Sequence, residues 1–268
     1  MNYTYINLSH ATDRKKNIEN CMVSASLEFK RFEAILGNES KIKINGLSES
    51  QIGCYLSHLE VLKKYNDSDD HLMIIEDDSY FNKSINICND LISKLDYNWD
   101  IIYLDATIVE ISDYINLSRK IFNQLNKNKL IDECITNINS VQTIFGTHGY
   151  IVNKKSIGKL ANLLINGMIL GKPIDNIYAL NIRNKKIDSF IILPTLISPS
   201  IDTINSQITT NEHPLMKDWI KFRELISEKK FTQLDKFNTE LFINDLQIGT
   251  SKIIENRLRF SFFGEFIP

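Results

Sequence analysis

At 268 residues, with 43% hydrophobic and 24% charged residues, the chain has the material for one large α/β domain or two small ones, with a sizeable core. A net charge of -2 and a pI near 6.2 exclude the basic excess of a nucleic-acid binder, and no apolar window approaches the roughly 18 residues of a membrane span. Cys21, Cys54, Cys88 and Cys134 form no Cys-x-x-Cys pair and the N-terminus has no basic, apolar leader, so reduced thiols in a cytoplasmic setting are expected.

Residues 3–8 form a short β-rich run, and 13–25 read as a helix with Ile18, Met22 and Ala25 on one face. A second strand is expected over 27–35, ending near Gly37. Ser48 and Gln51 make a capping box, a hydroxyl at the N-cap and an amide three residues on. The helix they open carries Ile52, Tyr55, Leu56, Leu59 and Leu62 at helical spacing and stops near residues 66–68. Residues 71–75 are a continuous apolar run too short for a helix, which fits a strand buried on both faces. Residues 99–105 repeat that design with a helix over 85–95 between, so the spacing predicts a βαβ unit.

Periodicity weakens over 106–140, which reads as an insertion covering a site. Residues 146–152 return to strand character and a helix follows over 154–165. Pro173 opens another helix, and 190–193 form a strand ended by Pro194. Two parts are expected: a catalytic domain over 1–210 and a helical extension over 211–268 packed on it. Within the extension, residues 252–268 mix Arg257 and Arg259 with Leu258, Phe260, Phe262, Phe263 and Phe266. Two readings are open for that run, packing on the parent domain or peripheral contact with an anionic membrane surface.

Chemistry concentrates in Glu76-Asp77-Asp78, at the carboxyl end of the strand over 71–75. Ligands of open α/β sheets bind outside the carboxyl ends of strands. Adjacent carboxylates repel unless a cation compensates, and a hard ion such as Mn²⁺ or Mg²⁺ accepts oxygen ligands while keeping positions open for diphosphate. A solvated acidic turn is the competing reading. If extended geometry continues, Glu76 and Asp78 project to one side and Asp77 to the other. Asp105 ends a strand as Asp78 does, either at the site or capping a turn. His58 reads as a hydrogen-bonded, half-buried helix residue. His148 lies between Gly146 and Gly149, which leave room for a ligand or serve a tight strand entry. Asp175 sits in a helix's first turn, as a dipole partner or a general base. No dinucleotide, P-loop, zincin or hydrolase signature is present.

The blocks Tyr5-Ile6-Asn7-Leu8 with Asp13-Arg14, Arg31-Phe32-Glu33-Ala34, Ile52 to Leu59, Ile74 to Asp78, Gly146 to Val152 and Pro173-Ile174-Asp175 stand in one order. Together they resemble glycosyltransferase family 25, the lipooligosaccharide-biosynthesis family akin to collagen galactosyltransferases, over roughly residues 3–202. The resemblance implies an α/β fold of GT-A-like Rossmann type, a mixed sheet flanked by helices. It implies a UDP-sugar donor, galactose most often, a lipooligosaccharide or other glycan acceptor, and inversion at the anomeric carbon. By position, Glu76, Asp77 and Asp78 stand at the metal and diphosphate motif, with Asp78 the leading ligand and Glu76, His148 or His213 as further ones. Asn7, Arg14 and Asp105 fall on the donor side, and Asp175 where inverting members place a base. Two rivals remain at this stage: a metal-dependent phosphohydrolase of nucleotide sugars, and a nucleotide-sugar-binding protein without turnover.

Overall fold

The computed structural model describes residues 1–81, 85–95, 97–108, 113, 117, 134–141, 144–193 and 195–199. The expected helical extension over 211–268, Pro194, His213, the 252–268 run and most of the expected insertion lie outside the described residues.

Seven strands make the main sheet, in the order β2-β1-β3-β9-β5-β10-β7. They are β1 (Asn2–Asn7), β2 (Phe29–Glu33), β3 (Leu72–Glu76), β5 (Ile101–Tyr103), β7 (Cys134–Asn137), β9 (Gly149–Val152) and β10 (Ser189–Leu193). β1 runs parallel to both β2 and β3, β9 is antiparallel to β3 and β5, β10 is parallel to β5, and β7 closes the edge antiparallel. Short antiparallel pairs, β4 (Ser79–Phe81) with β11 (Ile197–Pro199) and β6 (Thr107–Ile108) with β8 (Ile144–Phe145), sit outside it. The mixed sheet flanked by helices is a GT-A-like Rossmann-type arrangement.

Side-chain alternation along these strands divides the core in two. Leu72, Ile74, Ile101, Tyr103, Tyr150, Val152, Ile191 and Leu193 pack on one face with α2 (Glu49–Lys64), α4 (Ile157–Gly167) and α5 (Ile174–Arg183). Met73, Ile75, Ile102, Leu104, Ile151, Phe190 and Ile192 pack on the other with α1 (Thr12–Ser24) and α3 (Ile87–Ser93). Continuous apolar runs are what such double-sided burial demands. The Ser48–Gln51 capping box is formed in both directions and starts α2. Pro173 is the N-cap of α5, one position ahead of the first turn. Among the described residues no helix is long and apolar enough to cross a membrane.

Two expectations are corrected. β3 and β5 are not paired neighbours of a simple βαβ unit, because β9 lies between them. A strand buried on both faces reads alike whichever way it runs, so the antiparallel insertion of Gly149–Val152 leaves no mark in the pattern. Gly149 shows why that position is small: a Cβ there would lie 2.2 Å from Ile197 Cδ1. The extended geometry assumed beyond Glu76 also fails, since Asp77 and Asp78 form a turn leading into β4.

Candidate active site

Glu76, Asp77 and Asp78 leave the carboxyl end of β3 beside the end of β1, and each meets a different environment. Despite the turn, the separation of side chains is the one alternation predicts. Asp77 faces the first strand and helix, while Glu76 and Asp78 both feel His148.

On the Asp77 side, Asn7 Nδ2 donates to Asp77 Oδ2 at 2.6 Å and to the Ala11 carbonyl at 3.1 Å. Arg31 Nε donates back to Asn7 Oδ1 at 3.0 Å. Arg14 Nη1 stands 3.5 Å from Asp77 Oδ1 with its side chain 43% exposed. Burial raises the Asp77 carboxyl above its ordinary value against the opposing effects of Asn7 and Arg14. The reading of Asn7 as a direct donor contact is narrowed: its buried amide is already engaged at both ends, so it positions Asp77. Arg14 keeps a guanidinium open to solvent.

On the Glu76 side both side-chain partners are buried. His58 is 1% exposed and bridges Tyr150 and Glu76, its Nδ1 2.8 Å from the Tyr150 hydroxyl and its Nε2 3.2 Å from Glu76 Oε1. It is thus more deeply buried than the half-buried residue expected from its helix. Thr147 Oγ1 donates to the same Glu76 oxygen at 2.5 Å. Burial by itself would raise the Glu76 carboxyl, but the His58 hydrogen bond and charge, then His148 and Thr147, hold it down to about 2.

Asp78 meets the opposite fate. Burial, with Glu76 and Asp77 as like-charged neighbours, pushes it up to about 6 against the pull of His148. Its Oδ1 is buried and has no hydrogen-bond partner among the described residues. A buried carboxylate oxygen left in that state carries an uncompensated desolvation cost. It fits a missing cation.

His148 follows Gly146, whose φ of +93° is in the left-handed region where glycine is at ease. Its Nδ1 lies 3.7 Å from Oδ2 of fully buried Asp105, two residues beyond β5. Asp175, in the first turn of α5, accepts from its neighbour Asn176 N at 2.8 Å and from Gly146 N at 3.3 Å. Burial raises its carboxyl, those two amides oppose the rise, and Glu76 adds to it. Glu76, Asp78, His148 and Asp175 therefore converge at one edge of the sheet, with Asp105 behind His148 and Asp77, Asn7 and Arg14 on the flank.

Cys54 and Thr147 also belong here and were not singled out from sequence, and Tyr150 and Arg31 brace the two sides. Cys54 lies one helical turn before His58, a spacing that puts both on the same helix face. Its thiol proton is held on by burial and by the Glu76 and Asp175 charges. The metal-binding atoms of Cys54, His58 and Glu76 lie within 4.8 Å of one another, a set able to hold an ion.

A GT-A-like sheet with buried carboxylates converging at the carboxyl end of a central strand defines a class, and comparison with known proteins narrows it. Residues 1–178 match glycosyltransferase family 25 (LPS biosynthesis protein), and the chain belongs to that family. It is also similar to procollagen galactosyltransferase 1-B of Xenopus laevis, 23% identical over 238 residues, which covers 73% of this chain and 35% of that protein. The chain thus spans about a third of the length of this relative.

Proposed function

We propose that the protein is an inverting, metal-dependent glycosyltransferase that moves galactose from a UDP-sugar to a lipooligosaccharide or related glycan acceptor. The observation that carries this reading is Asp78 Oδ1, a buried carboxylate oxygen without a hydrogen-bond partner among the described residues, just beyond the carboxyl end of a central strand. Membership of the family supports sugar transfer, and the name of the Xenopus relative supports galactose.

The residues present suit a hard divalent ion, Mn²⁺ or Mg²⁺. Asp78 would supply an oxygen ligand, with Glu76 as a second and His148 beside them. The Cys54–His58–Glu76 set suits such an ion less well, because it offers a thiol and an imidazole whose nitrogens are both already in hydrogen bonds. When bound, the ion would offset charge developing on the departing diphosphate.

The chain's own residues account for the remaining steps. Arg14, exposed at the flank and held near Asp77, meets the nucleotide diphosphate, while Asn7 and Arg31 fix Asp77 from behind. Asp105 restrains His148. The acceptor hydroxyl oxygen attacks the anomeric carbon, its proton passes to Asp175, and the bond from that carbon to the diphosphate oxygen breaks with its electron pair leaving on UDP. Asp175 suits the role because burial raises its basicity and Gly146 N fixes one of its oxygens.

The test is a screen of UDP-sugars with and without Mn²⁺, read by UDP release in the presence and absence of a lipooligosaccharide core acceptor. Acceptor-dependent, Mn²⁺-dependent release with UDP-galactose is expected. Release of UMP and sugar phosphate without acceptor would assign the site to a phosphohydrolase, and donor binding with no release on any acceptor would assign it to a binding protein.

A further inference from the structure

Cys54, His58 and Glu76 form a second donor set whose chemistry differs from that of Asp78. Cys54 and His58 sit one turn apart on α2, His58 buried and Cys54 partly exposed, and Glu76 approaches them from the tip of β3. Their ligand atoms are gathered within 4.8 Å, and His58 Nε2 is already 3.2 Å from Glu76 Oε1. Tetrahedral zinc, with bonds of about 2.0 to 2.3 Å, needs donors about 3.5 Å apart, so small side-chain rotations close the site.

Two further features are those of a metal centre. The Tyr150 hydroxyl lies 2.8 Å from His58 Nδ1, and with the proton on Nδ1 it accepts that hydrogen bond and leaves the Nε2 lone pair toward Glu76. Thr147 holds the Glu76 carboxylate with its hydroxyl. Glu76 is 20% exposed, which supplies an entry path and room for a water as fourth ligand.

We infer that Cys54, His58 and Glu76 form a site for a thiophilic divalent ion such as Zn²⁺, which shares Glu76 with the hard-ion position at Asp78, differs from it in its sulfur and nitrogen donors, and is inhibitory when filled. On binding, a sulfur–metal bond forms, the Cys54 thiol proton and any proton on His58 Nε2 leave to solvent, and the imidazole binds through Nε2 with its proton on Nδ1. The bound ion draws Glu76 toward α2 and places two positive charges beside the carboxylate that the transfer reaction needs. The inhibitory part rests on the proposed transferase activity; the binding part does not.

Co²⁺ titration of the full chain tests it, followed by the near-ultraviolet sulfur-to-cobalt band. One saturating equivalent is expected, displaced by Zn²⁺ and not by Mn²⁺, and the band should vanish in Cys54→Ser while Mn²⁺ binding persists. Asp78→Asn should do the reverse. On the unaltered protein, Zn²⁺ should slow iodoacetamide labelling of Cys54, mapped by mass spectrometry, by about tenfold or more. No band, a band retained in Cys54→Ser, displacement by Mn²⁺ as readily as by Zn²⁺, or labelling of Cys54 unchanged by Zn²⁺ would each overturn the site. Loss of the transfer reaction in every assay with the cobalt band intact would overturn the transferase reading alone.

Discussion

Glu76 and Asp77 are neighbours in the chain and carry the same functional group, yet they lie in unlike surroundings. Asp77 faces α1 through Asn7 and a half-open Arg14, where water screens the charges. Glu76 faces α2 through His58 and Thr147, both buried, although its own side chain is 20% exposed. Charge pairs at the first kind of place contribute little to stability, whereas breaking the second leaves a charge in low dielectric. Asp78 lies between the two, and its Oδ1 has no hydrogen-bond partner among the described residues.

The largest effects should fall on neither flank but between them. Asp175→Asn is expected to lower kcat about a thousandfold with donor KM nearly unchanged. In the unaltered enzyme, transfer should rise with pH through a value above the ordinary Asp range, because the base is active only when deprotonated and burial raises it. A kcat that survives the substitution would remove Asp175 from the chemistry.

Asp78→Asn should cost about a hundredfold in Mn²⁺-dependent transfer. Its effect on stability has the opposite sign. A carboxyl raised from 3.8 to about 6 in the folded protein binds more protons than in the unfolded chain between those values, so it lowers stability as pH rises through that window. The substitution should therefore stabilise the metal-free protein on the order of 2 kcal/mol at pH 7.5 and do nothing near pH 3. Urea melts at both pH values check this; destabilisation at pH 7.5 would contradict it.

The two flanks are then compared directly. His58→Gln should cost about 3 kcal/mol by urea denaturation at pH 7, since it strips the buried partner from Glu76. Glu76 is lowered from 4.5 to about 2, so its contribution is present above 4.5 and is lost as pH falls toward 2. The acid limb of stability should flatten in His58→Gln. Gly53→Ala, in the same helix, should cost about 1 to 3 kcal/mol, because its Cβ would lie 2.4 Å from the Ile35 carbonyl oxygen. Arg14→Ala should change stability by less than about 1 kcal/mol and appear mainly as a raised donor KM. Equal costs for His58→Gln and Arg14→Ala would abolish the distinction between the flanks.

Local chemistry was legible wherever neighbours in sequence are also neighbours in space. Ser48 and Gln51 announced the start of α2, and the buried runs over 71–75 and 99–105 announced strands covered on both faces. The acidic triplet at the tip of β3 was legible for the same reason, since strand and turn are consecutive. His58 looked like an ordinary helix residue because its partners, Glu76 and Tyr150, stand 18 and 92 positions away. Cys54 gave no signal at all, a lone thiol in an amphipathic helix being mostly a small apolar residue.

Periodicity and terminal signals reside in short stretches of chain, so the sequence alone marked β1, β3, β5, β9 and the helices and showed that carboxylates end a buried strand. It did not mark β7, which joins the main sheet from the stretch over 106–140 read as an insertion. Only the tertiary structure decided that β9 enters between β3 and β5, bringing Thr147, His148 and Tyr150 against Glu76. The physical reason is that long-range pairing is selected by the whole core at once. A buried strand presents the same apolar faces to either neighbour, and the side chains that decide an acid's charge arrive from whichever element the packing places beside it.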